Sequence, residues 1–410
     1  MKNALTALIN LSEEEKEKVG IKYTASEIYG QVDLWENTVD RVNGLSDCLR
    51  SFLKEFQDRG KGCIVCTGAG TSEFIGHCIE GLLRKNLGTP VNVFSTTKIV
   101  TTPSDIFFPG YPFLLISFAR SGNSPESIGA VKIADMTTLK VSHLIITCNN
   151  LGLLYKWGKE HEAALTLCLD EKTNDKGLAM TSSFSNMVVA GQALSHSFNS
   201  EVYFNTLEKL IRAGKNILES APDTIKEICS LDFNRAVFLG NGSNFGTAIE
   251  SHLKLQELTS GIVMCTYDTF LGLRHGPEAV IDPQTLITAY ISNDQYLRKY
   301  EVDLLREIRE KKIGLSVLTC GGSIDREIRD LSDYVIEYDP DHSFDIADDF
   351  TPPVLVTVGQ LLGLFKSLKL GFKPDSPSDQ GVIHRVVEGV KVYNPEAYAQ
   401  SGKFDIVSER

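Results

Sequence analysis

The chain has 410 residues, of which 42% are hydrophobic, and a formal net charge of −12 at pH 7. That length predicts more than one hydrophobic core, and two domains are the expectation. The acid excess and the lack of any Lys/Arg-rich run leave no basic stripe for nucleic acid or an anionic membrane surface, and no apolar stretch is long enough to span a bilayer.

Residues 1–60 read as a helical arm. Ser12-Glu13-Glu14-Glu15 is an N-cap followed by first-turn acids rather than a leader cleavage site, so the expected compartment is the cytoplasm. Thr24-Ala25-Ser26-Glu27 has the spacing of a capping box. Ile28, Val32, Trp35, Val39 and Val42 follow at helical spacing up to Asn43-Gly44, and Leu45, Leu49, Phe52 and Phe56 begin a further helix. Both helices carry apolar faces that need a surface to pack on, and a second copy of the chain could provide it.

Residues 61–221 form the first predicted domain. Cys63-Ile64-Val65-Cys66 reads as a buried strand running into Gly68-Ala69-Gly70-Thr71-Ser72. Strand residues three apart face opposite sides, so Cys63 and Cys66 can neither bridge nor share a metal. The nine scattered cysteines fit small buried hydrophobes in a reducing compartment. Phe113-Leu114-Leu115-Ile116 is another strand, and Ile128, Val131 and Ala134 mark a helix from about Pro125. Ser121, Asn123, Ser124 and the backbone N–H groups between them converge at that helix N-terminus. The macrodipole there favours a dianion such as a phosphate monoester.

The pattern then repeats. Val65 to Thr71 matches Val237 to Ser243 at an offset of 172, and Leu114-Leu115-Ile116 matches Leu286-Ile287-Thr288 at the same offset. His143 to Thr147 matches Gly314 to Leu318 at 171. Short apolar runs separated by helical pattern predict an α/β fold of two tandem doubly wound parallel-sheet domains. The boundary is expected near Pro222, with a second domain over 222–372 and a turn-rich tail over 373–410. The second half puts Asn293-Asp294-Gln295-Tyr296 where the first has Ser121-Gly122-Asn123-Ser124, so a phosphate is expected in the first domain only. It also carries Glu250, Lys254 and Glu257 on one face of a mostly apolar helix, where buried acids need a reason. His275 follows in the turn Arg274-His275-Gly276-Pro277. Two proton-transfer groups near an anion seat suggest acid–base chemistry.

Together these pieces resemble the double-SIS (sugar isomerase) domain family over roughly residues 24 to 395, and within it the tagatose-6-phosphate ketose/aldose isomerase (galactosamine-6-phosphate deaminase/isomerase) group. The resemblance implies an aldose–ketose isomerase or deaminase acting on a hexosamine 6-phosphate. Thr71, Ser72, Ser121, Asn123 and Ser124 would hold the sugar phosphate and Thr181 would contact the sugar. Glu257 would move a proton between C1 and C2, Lys254 would stabilise the enediol or enolamine, and His275 would assist ring opening, in this family sometimes from the neighbouring subunit. Family members with synthase activity carry a ring-opening lysine in the tail. This chain reads Val382-Ile383-His384-Arg385 there, so His384 or Arg385 would stand in.

The chain opens Met1-Lys2-Asn3 with only the short arm before the first domain, so no glutaminase is expected and deamination or isomerisation is the expected direction. No cofactor and no metal are expected, since neither metal-ligand spacing nor a complete nucleotide loop occurs. A dinucleotide fold is disfavoured because Glu73 takes the place of the third glycine. A SIS-type etherase is a lesser reading. The main alternative is a non-catalytic SIS sensor that regulates a partner; it would keep Ser121 and Ser124 but need neither Glu257 nor His275.

Overall fold

Among the described residues ten strands form two parallel sheets, most of them buried apolar runs. The structure, a computed structural model, describes residues 2–138, 140–378, 381–387 and 389–393. The first sheet holds β1 (Cys63–Gly68), β2 (Val91–Ser95), β3 (Phe113–Ala119), β4 (Val141–Thr147) and β5 (Ala164–Cys168) in the order β2-β1-β3-β4-β5. The second holds β6 (Arg235–Leu239), β7 (Met264–Asp268), β8 (Thr285–Tyr290), β9 (Ser316–Gly321) and β10 (Tyr334–Glu337) in the order β10-β9-β8-β6-β7, the same order read from the other edge. Each sheet reverses its winding between its first and third strands, and the crevice beyond the C-terminal ends of those strands is where such folds bind ligands.

The duplication holds at the level of pairing. Cys63 lies opposite Phe113 and Arg235 opposite Thr285, both shifted by 172. The fourth strand departs from the sequence alignment: Leu114 faces Ser142 and Leu286 faces Ser316, an offset of 174 rather than 171. The crossover helix explains the change, lengthening from 13 residues (Pro125–Thr137) to 17 (Gln295–Lys311). Cys63 and Cys66 lie in different core clusters on opposite faces of β1, and all nine cysteines are free.

The arm packs inside its own chain. Ile28, Val32, Trp35, Val39 and Val42 are all buried. Trp35 Nε1 donates to Ser185 Oγ (3.2 Å) and Thr38 Oγ1 to Asn186 Oδ1 (2.7 Å), on the wholly buried helix Ser182–Ser195. The arm therefore needs no second copy to cover it, which corrects that expectation. The capping box at Thr24 does not form either. Tyr23 is the N-cap of the helix Thr24–Gly30, and Asp375 from the tail accepts from Thr24 N (2.8 Å) and Thr24 Oγ1 (2.7 Å). Asp375 thus takes the Thr24 N–H that a capping box would give to Glu27, and Glu27 is left to take the N–H groups of Lys176 and Gly177.

Pro222 does not end a helix. One helix runs from Ser200 to Ser230 with Pro222 buried inside it, so the join between the two halves is a continuous rod. Proline has no N–H to give the carbonyl four residues back. That carbonyl, Leu218 O, instead accepts from Asn3 Nδ2 at 2.8 Å, while Ala4 N donates to Asp223 Oδ1 at 2.7 Å. Asn3→Ala leaves a buried carbonyl without its donor, and the expected loss is about 1–2 kcal/mol. Urea unfolding should show a lower midpoint at unchanged slope. No helix among the described residues is long and apolar enough to cross a membrane.

Candidate active site

The first wall of the site is the turn after β1. Gly70 adopts φ +54° and its counterpart Gly242 adopts φ +55°, a left-handed turn that places the next residues on a helix N-terminus in each domain. In the first domain those residues are Thr71 and Ser72, at the start of the helix Thr71–Leu87. Ser72 Oγ contacts Met180 Sδ at 3.7 Å.

Thr71 reaches across to the second domain. Lys254 Nζ donates to Thr71 Oγ1 (3.0 Å), lies 3.1 Å from Glu250 Oε1, and also pairs with Glu257 Oε1. These acids and the lysine lie on the helix Asn244–Leu258, as the four-then-three spacing predicts. Lys254 and Glu250 have side chains at 0% exposure, whereas Glu257 keeps 17%. Glu257 is thus the carboxylate within reach of a ligand, and Glu250 is the buried anchor. Burial pushes Glu250 up to about 8, partly offset by the Lys254 charge. Burial pulls Lys254 down, but the two carboxylates outweigh it and hold its pKa above the ordinary lysine value. Lys254 is therefore a fixed positive charge and not a base.

The second wall is the loop after β3. Gly122 turns at φ +62°. Asn149 Nδ2 donates to Ser121 O (2.8 Å), Leu154 N to Gly122 O (2.9 Å) and Leu153 N to Asn123 Oδ1 (3.0 Å), so the loop is braced from behind by the segment after β4. The helix starts at Pro125 as expected. Ser124, its N-cap, makes no side-chain hydrogen bond to the backbone N–H groups of the first turn; its hydroxyl meets the hydroxyl of Ser127, one turn into the helix, at 2.6 Å. A helix N-terminus without a side-chain cap is a place where an anion can be accommodated. A cavity of about 840 Å³ behind the loop shares Asn149 and is lined by Arg41, Tyr155 and Lys159; it contains none of the predicted site residues.

The second domain fills its own equivalent seat. Asp348 Oδ1 accepts from Asn293 N (2.7 Å), and Asp348 Oδ2 accepts from Ser292 Oγ and from Asp294 N (3.3 Å). Asp294 caps the following helix through Tyr296 N (2.7 Å), and Glu301 takes Ser292 N (2.9 Å). Burial pushes Glu301 up to about 7. A carboxylate of the chain thus takes the N–H groups of the second-domain loop that corresponds to Ser121–Ser124.

The remaining predicted residues are placed unevenly. Thr181 is buried and its hydroxyl donates to Asp175 Oδ1 at 3.0 Å. Arg385 lies beside the same loop, with Nε donating to Asp175 O (2.8 Å) and Nη2 to Asn174 Oδ1 (2.8 Å), so its guanidinium is engaged with its own chain. His384 is exposed. His275 is exposed at the end of the short helix Gly272–His275, and the hydrogen bonds and ion pairs of Lys254 go to Thr71, Glu250 and Glu257 rather than to it. Sequence reasoning missed Arg120 and Asp175. Asp175 accepts from the N–H groups of Thr181, Ser182 and Ser183 at the start of the buried helix. Arg120 joins Ser121 to the neighbouring loop, and Glu257 is among the charges acting on it. A lone charge between an apolar strand and a small polar loop was the available signal.

No family model matches the chain. D-galactosamine-6-phosphate deaminase AgaS of Escherichia coli is 34% identical over 374 residues, covering 90% of this chain and 95% of that protein. Among solved structures, a provisionally assigned tagatose-6-phosphate ketose/aldose isomerase from Clostridium novyi superposes with a TM-score of 0.91 at 37% identity, covering 96% of this chain and all of the other. The tagatose-6-phosphate ketose/aldose isomerase of Escherichia coli gives 0.81 at 33% identity, covering 90% and 96%. With relatives of this similarity over nearly the whole length, the chain belongs to the AgaS family of double-SIS sugar-phosphate enzymes.

Proposed function

We propose that the protein converts galactosamine-6-phosphate to tagatose-6-phosphate and ammonia. The observation that carries the reading is the pairing of an uncapped helix N-terminus at Ser121–Ser124 with a partly exposed carboxylate, Glu257, fixed by buried Lys254. The phosphate sits on the first-domain loop, with Ser72, Ser121, Asn123 and Ser124 around it. Glu257 removes the C2 proton of the open-chain amino aldose. Lys254 stabilises the charge that develops on the C1 oxygen, and the proton returns to C1. The resulting C2 imine takes up water and releases ammonia, leaving the ketose.

Ring opening falls to His275 of a second copy of the chain, with His384, exposed on the tail, as the second candidate. In support, His275 is exposed, and Ile262 (57%), Met264 (60%) and Leu271 (45%) expose apolar surface around the edge strand β7. Such a patch suits a symmetric dimer. Nine free thiols suit a reducing cytoplasm.

The test is incubation with galactosamine-6-phosphate, glucosamine-6-phosphate and tagatose-6-phosphate in parallel, with ammonia and ketose measured separately. Ammonia and ketose in equal amounts from galactosamine-6-phosphate are expected, and their absence from every amino sugar phosphate overturns the proposal. Ser121→Ala and Ser124→Ala should each weaken sugar-phosphate binding by about 1–3 kcal/mol, because each removes a hydrogen bond to a charged group. Calorimetry with phosphorylated and free sugar reads this directly.

A further inference from the structure

Arg120 is buried to 7% exposure between β3 and Ser121. Its guanidinium donates to three backbone carbonyls: Gly177 O (3.3 Å), Leu178 O (2.9 Å) and Arg385 O (2.6 Å). Among the described residues no carboxylate lies within ion-pair distance of it. Burial pulls its pKa down, and the nearby charges of Asp175 and Glu257 act in the other direction. A buried cation with only neutral partners is expensive to keep, so its geometry has to be doing something that an apolar side chain could not.

That geometry joins three segments. Gly177 and Leu178 belong to the loop that leads into the buried helix Ser182–Ser195. Arg385 belongs to the tail, and it returns the contact by placing its own guanidinium on Asn174 and Asp175. The tail is held earlier by Asp375 on Thr24, and later by Val392, which packs against Val100 and Gly129 so closely that a Cβ on Gly129 would lie 2.9 Å from Val392 Cγ1. Gly129 is on the helix that the anion loop opens. The tail therefore runs from the arm, past Arg120, to the first turns of that helix.

We propose that Arg120 is a positioning residue that latches the C-terminal tail beside the sugar-phosphate seat. Its backbone is continuous with Ser121, so seating an anion on the loop also fixes the donor that holds the tail. This step rests on the reading of Ser121–Ser124 as the phosphate seat.

Trypsin cleavage after Lys391, followed by mass spectrometry, reports the tail. Arg120→Met and Arg385→Ala should each speed that cleavage by about tenfold, the effect of losing one hydrogen bond to a charged group when cleavage follows local opening. Millimolar inorganic phosphate should slow it in the wild type and not in Arg120→Met. With sugar phosphate, Arg120→Met should raise KM by about tenfold while kcat changes by less than about threefold, because Glu257 and Lys254 are untouched. Thermal unfolding checks that the variant is folded, and Arg385→Ala carries the test if it is not. Unchanged Lys391 cleavage in either folded variant overturns the latch. Faster cleavage in both variants, with no effect of phosphate on the wild type, keeps the latch and overturns the coupling to an anion on Ser121–Ser124.

Discussion

Glu257→Gln is expected to lower kcat by about 10²–10⁴ with little change in substrate binding. The amide keeps the shape and the contact with Lys254 but cannot accept the C2 proton. Solvent deuterium incorporation at the substrate carbon should disappear in parallel, and a wild-type rate would move the base elsewhere, with Glu250 and Glu27 the next candidates. The same variant tests whether sites are shared between chains. Glu257→Gln and His275→Asn should each be nearly inactive alone. If His275 acts across an interface, reassembled mixtures should recover activity, since about one site in each mixed dimer then holds both native residues. No recovery, with subunit exchange confirmed by mass, would place His275 in its own chain's site or in loop shape alone.

Lys254→Met should destabilise the fold by about 3–5 kcal/mol at alkaline pH, because it strips the cation from two acids, one of them wholly buried. The deficit should depend on pH in a definite direction. Glu250 has a folded pKa raised to about 8 from an ordinary value of 4.5. A group raised in this way contributes its full stability below the unfolded value and loses it as pH rises through the folded one. Removing Lys254 raises the folded value further. The variant should therefore lie close to wild type in urea at pH 6 and fall progressively behind it towards pH 9. An equal deficit at both ends would mean that Glu250 stays ionised throughout.

Much of this molecule was legible because parallel strands are buried on both faces and read as unbroken apolar runs. β1, β3, β6 and β8 carry that signature, and their spacing of 172 exposed the duplication. The start at Pro125, the open loop before it and the single face shared by Glu250, Lys254 and Glu257 are local patterns that a periodicity argument reaches. What stayed hidden were bonds between residues far apart in the chain. Asp375 caps Thr24, Asn3 serves the carbonyl that Pro222 strands, and Arg120 holds the tail. Each overrides a sound local rule, such as the capping box or the helix-ending proline, with a partner that only the fold supplies. The arm follows the same rule: its apolar stripe is legible in the sequence, but the surface that covers it belongs to its own chain.

The carboxylates at the second anion loop bear on how the enzyme responds to substrate concentration. Asp348, Asp294 and Glu301 occupy the backbone donors there, so with the phosphate seat proposed at Ser121–Ser124 the duplication doubles the scaffold without doubling the number of ligands per polypeptide. On that proposal one chain binds one substrate, and its equilibrium binding curve is hyperbolic. A Hill coefficient above one in a saturation curve would be a direct readout of communication between separate chains.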